Sequence, residues 1–200
     1  LLRVIYKDRN KTIWVVTSRG LNRLDVGPDK NISFTFYEAD QLIANLNNNS
    51  IINIFQDRKG IFWITTVNGL NTFDPVNKKF TPFPTDDLSF FLFLQYNIVE
   101  DKQGNIWFAS DSGLKKLNSD RTRFTTCVED PNDEYSLKSN QIFSLALTEG
   151  GNLFVSTTKG LQSVFLDQKA FGLLRHKSGD LSSLASNEVL TINGDEENDV

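Results

Sequence analysis

The sequence predicts an all-β fold, and three observations carry that prediction. The first is a repeat. Asp8, Trp14 and Gly20-Leu21 recur as Asp57, Trp63 and Gly69-Leu70, as Asp101, Trp107 and Gly113-Leu114, and as Thr148, Phe154 and Gly160-Leu161. The second is its rigidity: six positions separate the turn residue from the aromatic, and six more lead to the glycine, in every copy. The third is its period, since successive aromatics stand 49, 44 and 47 residues apart. A fixed unit returning at that interval is the signature of a β-propeller or a related array. The expected architecture is a propeller fragment of four four-stranded antiparallel blades plus the first strand of a fifth.

The second copy shows why each element should form. Ser50 to Gln56 carries Ile51, Ile52, Ile54 and Phe55 and reads as a strand over 51–56. Asp57-Arg58-Lys59-Gly60 follows as a tight turn, because Asp caps backbone N–H groups and Gly accepts positive φ. Ile61 to Thr66 has large apolar groups at consecutive positions, so a strand over 61–66 expects cover on both faces. Val67-Asn68-Gly69 turns into a third strand over 70–74. A fourth, over 80–83, is short enough to tolerate Pro82 at an edge. Four antiparallel strands make one blade.

The other copies place blades at about 1–38, 93–127 and 140–175, beside 49–84, with a further blade opening at 187–200. In the first copy Lys11 stands where Gly60 and Gly104 stand, and Asn10 is the expected left-handed residue. In the third, Leu88 to Leu94 is unusually apolar. An Asn opens the other blades eight positions before the turn residue, as Asn49, Asn140 and Asn187. Asn187 in turn marks Asp195 as the turn residue of the fifth copy.

Composition removes several function classes. A net charge of −4 argues against nucleic acid, which calls for a basic stripe. Cys127 is the single cysteine, so no intrachain disulfide can form. No run approaches the ~18 apolar residues of a membrane helix. The sequence contains no Met and shows no signal-peptide pattern, and the expectation is a piece of a longer polypeptide.

The stretches Ile98 to Leu114 (IVEDKQGNIWFASDSGL) and Ile54 to Asp74 (IFQDRKGIFWITTVNGLNTFD) resemble the two-component-regulator propeller repeat. The connecting segments 135–142 (YSLKSNQI) and 181–189 (LSSLASNEV) fit its inter-blade pattern. That resemblance implies the periplasmic sensor region of a membrane-spanning hybrid two-component histidine kinase of Bacteroides-type bacteria. It implies a glycan breakdown product, an oligosaccharide, as ligand. Kinase, receiver and membrane segments would lie outside these residues.

Residues that might do chemistry are few. Trp14, Trp63, Trp107 and Phe154 share one strand position and are expected to pack between blades rather than stack on sugar. Asp8, Asp57 and Asp101 are turn caps, since no clustered acidic spacing suggests calcium. His176, the sole histidine, is expected to be solvated in an inter-blade loop. Lys78-Lys79 and Lys115-Lys116 are expected on solvated outer turns. The expectation is therefore no catalytic residue, no metal and no cofactor. Weak ligand candidates are the turns before each Gly-Leu pair: Arg19, Asn68, Asp111, Ser112 and Lys159. Arg19 and Lys159 would suit an anionic sugar, with loops 38–49 and 128–139 as the alternative ligand surface. Self-association is expected of a fragment with open apolar faces. The competing readings are a streptogramin-lyase-like propeller enzyme, which needs convergent histidines or acids and a metal, and a structural scaffold.

Overall fold

A computed structural model describes residues 2–17, 20–37, 51–66, 69–84, 98–166, 170–190 and 192. Among the described residues there are sixteen strands in four antiparallel sheets of four, and no helix. The chain divides into two compact units, Leu1–Leu94 and Gln95–Val200. The first unit holds sheet one, β1 (Leu2–Lys7), β2 (Ile13–Thr17), β3 (Gly20–Val26) and β4 (Ile32–Tyr37). It also holds sheet two, β5 (Ile51–Gln56), β6 (Phe62–Thr66), β7 (Gly69–Asp74) and β8 (Lys79–Pro82). The second unit holds sheet three, β9 (Ile98–Glu100), β10 (Ile106–Phe108), β11 (Leu114–Leu117) and β12 (Phe124–Cys127). Its sheet four is β13 (Ile142–Leu147), β14 (Leu153–Thr157), β15 (Gly160–Phe165) and β16 (Ala170–Leu174).

Each sheet is a meander with its strands in chain order, so the fixed spacing of the sequence becomes a fixed register. Trp14 lies opposite Tyr6 and Arg23, Trp63 opposite Phe55 and Thr72, and Trp107 opposite Val99 and Lys116. All five residues of β6 are buried, Thr65 and Thr66 together with the apolar run Phe62-Trp63-Ile64.

Packing within the first unit sets one side of sheet one on one side of sheet two. Trp14, Val16, Leu21 and Tyr37 meet Ile54, Phe62, Ile64, Phe73 and Phe80 in one buried cluster. Trp14 approaches the Phe62 ring at 4.9 Å, and Tyr37 approaches Phe73 at 5.1 Å. Each such side chain contributes about 1.5–3 kcal/mol by leaving water, and each ring pair a further ~0.5–1.5 kcal/mol. The second unit repeats the arrangement with aliphatic partners. There Trp107, Ala109 and Leu114 pack with Leu145, Leu153, Val155 and Val164. The tryptophans of sheets one and three thus pack between neighbouring sheets of their units.

Two expectations need correction. Lys11 itself, not Asn10, takes the left-handed backbone at φ 65°. Its N–H reaches the Asp8 carbonyl at 2.9 Å, the bond that Gly60 and Gly104 make in their own turns. Closing the turn therefore fixes which residue must turn over. Second, Lys115 is buried at 1% exposure within β11, and Lys116 lies 5.0 Å above the Trp107 ring. Neither is an outer-turn residue, because both follow Gly113-Leu114 directly into the third strand; Lys79 is exposed in β8 and Lys78 in the turn before it, as expected. The glycines Gly20, Gly113 and Gly160 are in addition set by the strand beside them as well as by the turn. Gly20 has φ 139° and Gly113 φ 118°, and a Cβ on them would come within 2.8 Å of the Tyr37 carbonyl oxygen and 2.5 Å of that of Cys127. The stretch 85–97, with its apolar run, and Asp195 lie outside the described residues.

Candidate functional site

The repeat mark is a hydrogen-bonded device. Asp8 accepts the N–H groups of Asn10 and Thr12 on Oδ1, at 2.9 and 2.8 Å, and the Trp14 indole N–H on Oδ2 at 2.9 Å. Asp57 and Asp101 receive Trp63 and Trp107 in the same way, at 2.9 and 2.8 Å. These carboxylates are buried, so their charge is tolerable only with such donors around it. In the fourth copy both partners are exchanged together. Phe154 offers no N–H, and Thr148 keeps only the turn function, accepting the Asn152 N–H at 3.0 Å. The Asp residues are structural: each caps its turn, as its sequence position implies, and also holds the indole N–H.

A second fixed bond holds the next turn. Thr17, Thr66, Ser110 and Thr157, each three positions before the glycine, donate a hydroxyl to that glycine's carbonyl at 2.6–3.2 Å. The turn tips between them carry the sequence-predicted ligand candidates. Arg19 and Asn68 lie outside the described residues. Asp111, Ser112 and Lys159 belong to the second unit. Ser112 approaches the Ser110 hydroxyl at 3.3 Å, while Asp111 has a buried Oδ1 with no hydrogen-bond partner. Lys159 forms an ion pair with Glu129 of the loop after β12.

The loops that follow sheets three and four share one skeleton. Asn140 accepts the Glu129 N–H at 2.7 Å, and Asn187 accepts the His176 N–H at 2.8 Å. Ser136 Oγ accepts the Asp130 N–H, and Ser183 Oγ the Lys177 N–H, at 3.1 and 2.9 Å. Asn140 and Asn187 are thus each the clamp of the loop before them. The tips differ: Pro131, Asn132, Glu134 and Tyr135 in one loop stand against Ser178, Gly179, Leu181 and Ser182 in the other. Glu134 beside Tyr135 raises that phenol above its usual value. The Ser182 hydroxyl and N–H hold the Asp180 carboxyl below the usual range.

Between the second loop and sheet four lies an open cleft lined by Phe143, Thr158, His176, Ser186, Asn187 and Glu188. Phe143 is the extra residue of a β-bulge, where pairing of β13 with β14 slips between Ile142 and Ser144. Bulges re-aim side chains beside binding sites. Sheets one and two bulge at the corresponding places, between Leu2 and Val4 and between Ile51 and Asn53. His176 is exposed, yet its Nδ1 sits 2.7 Å from the Leu184 carbonyl oxygen. Thr158 shares a 2.7 Å hydroxyl contact with Ser139. The cleft offers the Phe143 ring, the His176 imidazole, hydroxyls, an amide and a carboxylate, a set suited to a hydroxyl-rich ligand. Sequence reasoning missed this cleft, since His176 and Phe143 stand 33 positions apart in the chain.

Two stretches, residues 45–68 and 95–112, match the two component regulator propeller. The two matches fall on the second and third copies of the repeat. Solved structures agree on the fold. The extracellular domain of a putative hybrid two component system from B. thetaiotaomicron superposes with a TM-score of 0.69 at 23% identity, covering 98% of this chain and 25% of that one. A second such domain from the same organism gives 0.66 at 23% identity, over 86% of this chain and 22% of that one. Virginiamycin B lyase from Staphylococcus aureus gives 0.60 at 12% identity, over 89% and 56%. The chain spans about a quarter of the length of these two extracellular domains. No curated protein sequence matches the chain.

Proposed function

We propose that this chain is a ligand-sensing stretch of the extracytoplasmic propeller of a hybrid two-component regulator, without chemistry of its own, and that it recognises a glycan breakdown product. One observation carries the reading: the frame bonds recur from copy to copy, while the loop tips differ in size, charge and hydrogen-bonding character. A frame held constant under a surface that varies is what a binding scaffold needs. Extracytoplasmic placement rests on the extracellular two-component domains that share the fold. The cleft, not the Arg19 and Lys159 pair, is the preferred ligand surface. The Glu129 carboxylate already occupies Lys159, so an anionic sugar would have to displace it.

The test is calorimetry with neutral and acidic oligosaccharides. A neutral or mixed oligosaccharide should bind, and Phe143→Ala and Glu188→Ala should each weaken it tenfold or more. Lys159→Ala should leave it within twofold. Unchanged affinity in both cleft variants would remove the cleft. Loss confined to Lys159→Ala would return the site to the turn tips.

A further inference from the structure

The first unit sorts its charge by end. In a four-stranded meander the first and third turns lie at one end of the sheet and the second turn at the other. Turns 8–12 and 27–31 of sheet one therefore share an end, as do turns 57–61 and 75–78 of sheet two. Two bonds set these ends side by side. The Arg9 N–H reaches Gln56 Oε1 at 3.0 Å, and the Gln56 N–H reaches the Tyr6 hydroxyl at 2.9 Å. On this common end Lys11, Lys30, Arg58, Lys59, Lys78 and Lys79 are all exposed. Asp8 and Asp57 are buried under their turn donors, which leaves Asp29 as the exposed acid of these turns among the described residues. The linking segments 38–50 and 84–97 carry Glu38, Asp40, Asp86 and Asp87, and neither Lys nor Arg.

The frame does not ask for cations at this end. Lys11 (φ 65°), Lys30 (φ 60°) and Lys78 (φ 52°) hold left-handed backbone, which is unfavourable for lysine and not for glycine. In the other three copies Gly60, Gly104 and Gly151 make the turn bond of Lys11. Arg121 is the one other left-handed residue with a side chain among those described, and it has a structural task. Its guanidinium donates to the Gly104 carbonyl at 2.6 Å and pairs with Glu100. No such bond holds the three lysines among the described residues. Backbone strain of this kind concentrates at working surfaces.

We propose that this end of the first unit rests on an anionic phospholipid surface, a partner that follows from the extracytoplasmic sensor reading above. Three features favour a lipid layer over a soluble anion. The cations are spread over four turns of two sheets and do not gather around one cavity. Five of the six are lysines, flexible point charges suited to a diffuse layer of phosphates, whereas an arginine fork grips a single one. Val76 stands 86% exposed at its turn tip beside Lys78 and Lys79, an apolar residue placed to enter the headgroup layer.

The test is flotation of the 200-residue chain with vesicles of phosphatidylcholine holding about one third phosphatidylglycerol, beside vesicles of phosphatidylcholine alone. Binding should require the anionic lipid and vanish in about 0.5 M salt. The triple variant Lys11→Gly, Lys30→Gly, Lys78→Gly should bind about a hundredfold more weakly, near fivefold per lysine. Its melting temperature should match or exceed the parent's, since the left-handed backbone is relieved. Equal binding to both vesicles, no binding to either, or a triple variant within about threefold of the parent would overturn the proposal. So would a triple variant that loses binding only by melting about 5 °C or more below the parent, which would make the lysines structural. Capture of soluble dextran sulfate without vesicle binding would assign this end to a soluble polyanion and overturn it equally. Oligosaccharide affinity at the cleft should be unchanged in the triple variant. Vesicle binding absent with oligosaccharide binding intact overturns this proposal alone, and the reverse result overturns the glycan reading alone.

Discussion

The Asp–Trp bond can be weighed with a double-mutant cycle at Asp57 and Trp63, using the residues that the fourth copy already carries. Asp57 is 1% exposed and Trp63 2%, and their bond is 2.9 Å long. Trp63→Phe leaves a buried carboxylate oxygen without its indole donor, at a cost of about 1–3 kcal/mol. The smaller ring adds roughly 1–2 kcal/mol of lost burial. Asp57→Thr strands the indole N–H for another ~1–3 kcal/mol, although its hydroxyl can keep the turn as Thr148 does. The double variant strands neither group. It should therefore be more stable than the sum of the singles predicts, by about 1.5–3 kcal/mol, the range for a hydrogen bond to a charged group. Urea denaturation with a common m value is the assay, and each kcal/mol should move the melting temperature by about 2–4 °C. Additivity within ~0.5 kcal/mol would refute the reasoning and reduce the six-residue spacing to a matter of strand length.

Other expectations are narrower. Gly113→Ala should destabilise more than Gly60→Ala, because its Cβ would meet the Cys127 carbonyl oxygen at 2.5 Å while that of Gly60 meets nothing within 4 Å. The Gly60 change then carries only the left-handed backbone cost of about 1–2 kcal/mol, and thermal melts of the two compare them directly. The Asp25 carboxyl is held below its usual range, first by the Thr35 hydroxyl and then by Arg23. Its ionised form favours the folded state, so this contribution is complete above the ordinary carboxylate pKa and lost as pH falls through the folded value. Thr35→Ala should move the Asp25 titration upward by NMR, and an unmoved curve would deny Thr35 that role. With Ile32, Phe34 and Phe36 exposed along β4, the 200-residue chain should self-associate as concentration rises. Phe34→Asp should reduce this in sedimentation velocity, and identical profiles would point to another surface.

The strands were legible because the spacing was rigid. The expected 51–56, 61–66, 70–74 and 80–83 compare with Ile51–Gln56, Phe62–Thr66, Gly69–Asp74 and Lys79–Pro82. What escaped was the reason for the rigidity. It was written in the fourth copy, where Asp and Trp change together to Thr148 and Phe154. The hydroxyls of Thr17, Thr66, Ser110 and Thr157 were equally visible and went unread. Lys115 was misplaced because a charged residue after a turn reads as surface, whereas here the strand carries it inward. The candidate site was least legible. The Lys159–Glu129 pair joins residues 30 positions apart, and no local pattern announces it. The bulge at Phe143 likewise follows from pairing rather than from residue type.

The Asn clamps have a consequence for how such a protein can change. Each bond spans eleven positions, from Glu129 to Asn140 and from His176 to Asn187, and anchors a loop at both ends without using a strand residue. The segments between the anchors, 130–139 and 177–186, are therefore of equal length. Exchanging 130–139 with 177–186 would carry Tyr135 to one blade and Leu181 to the other while every sheet kept its register. A new surface can thus arise by trading loops between positions of one chain, with the clamps kept in place.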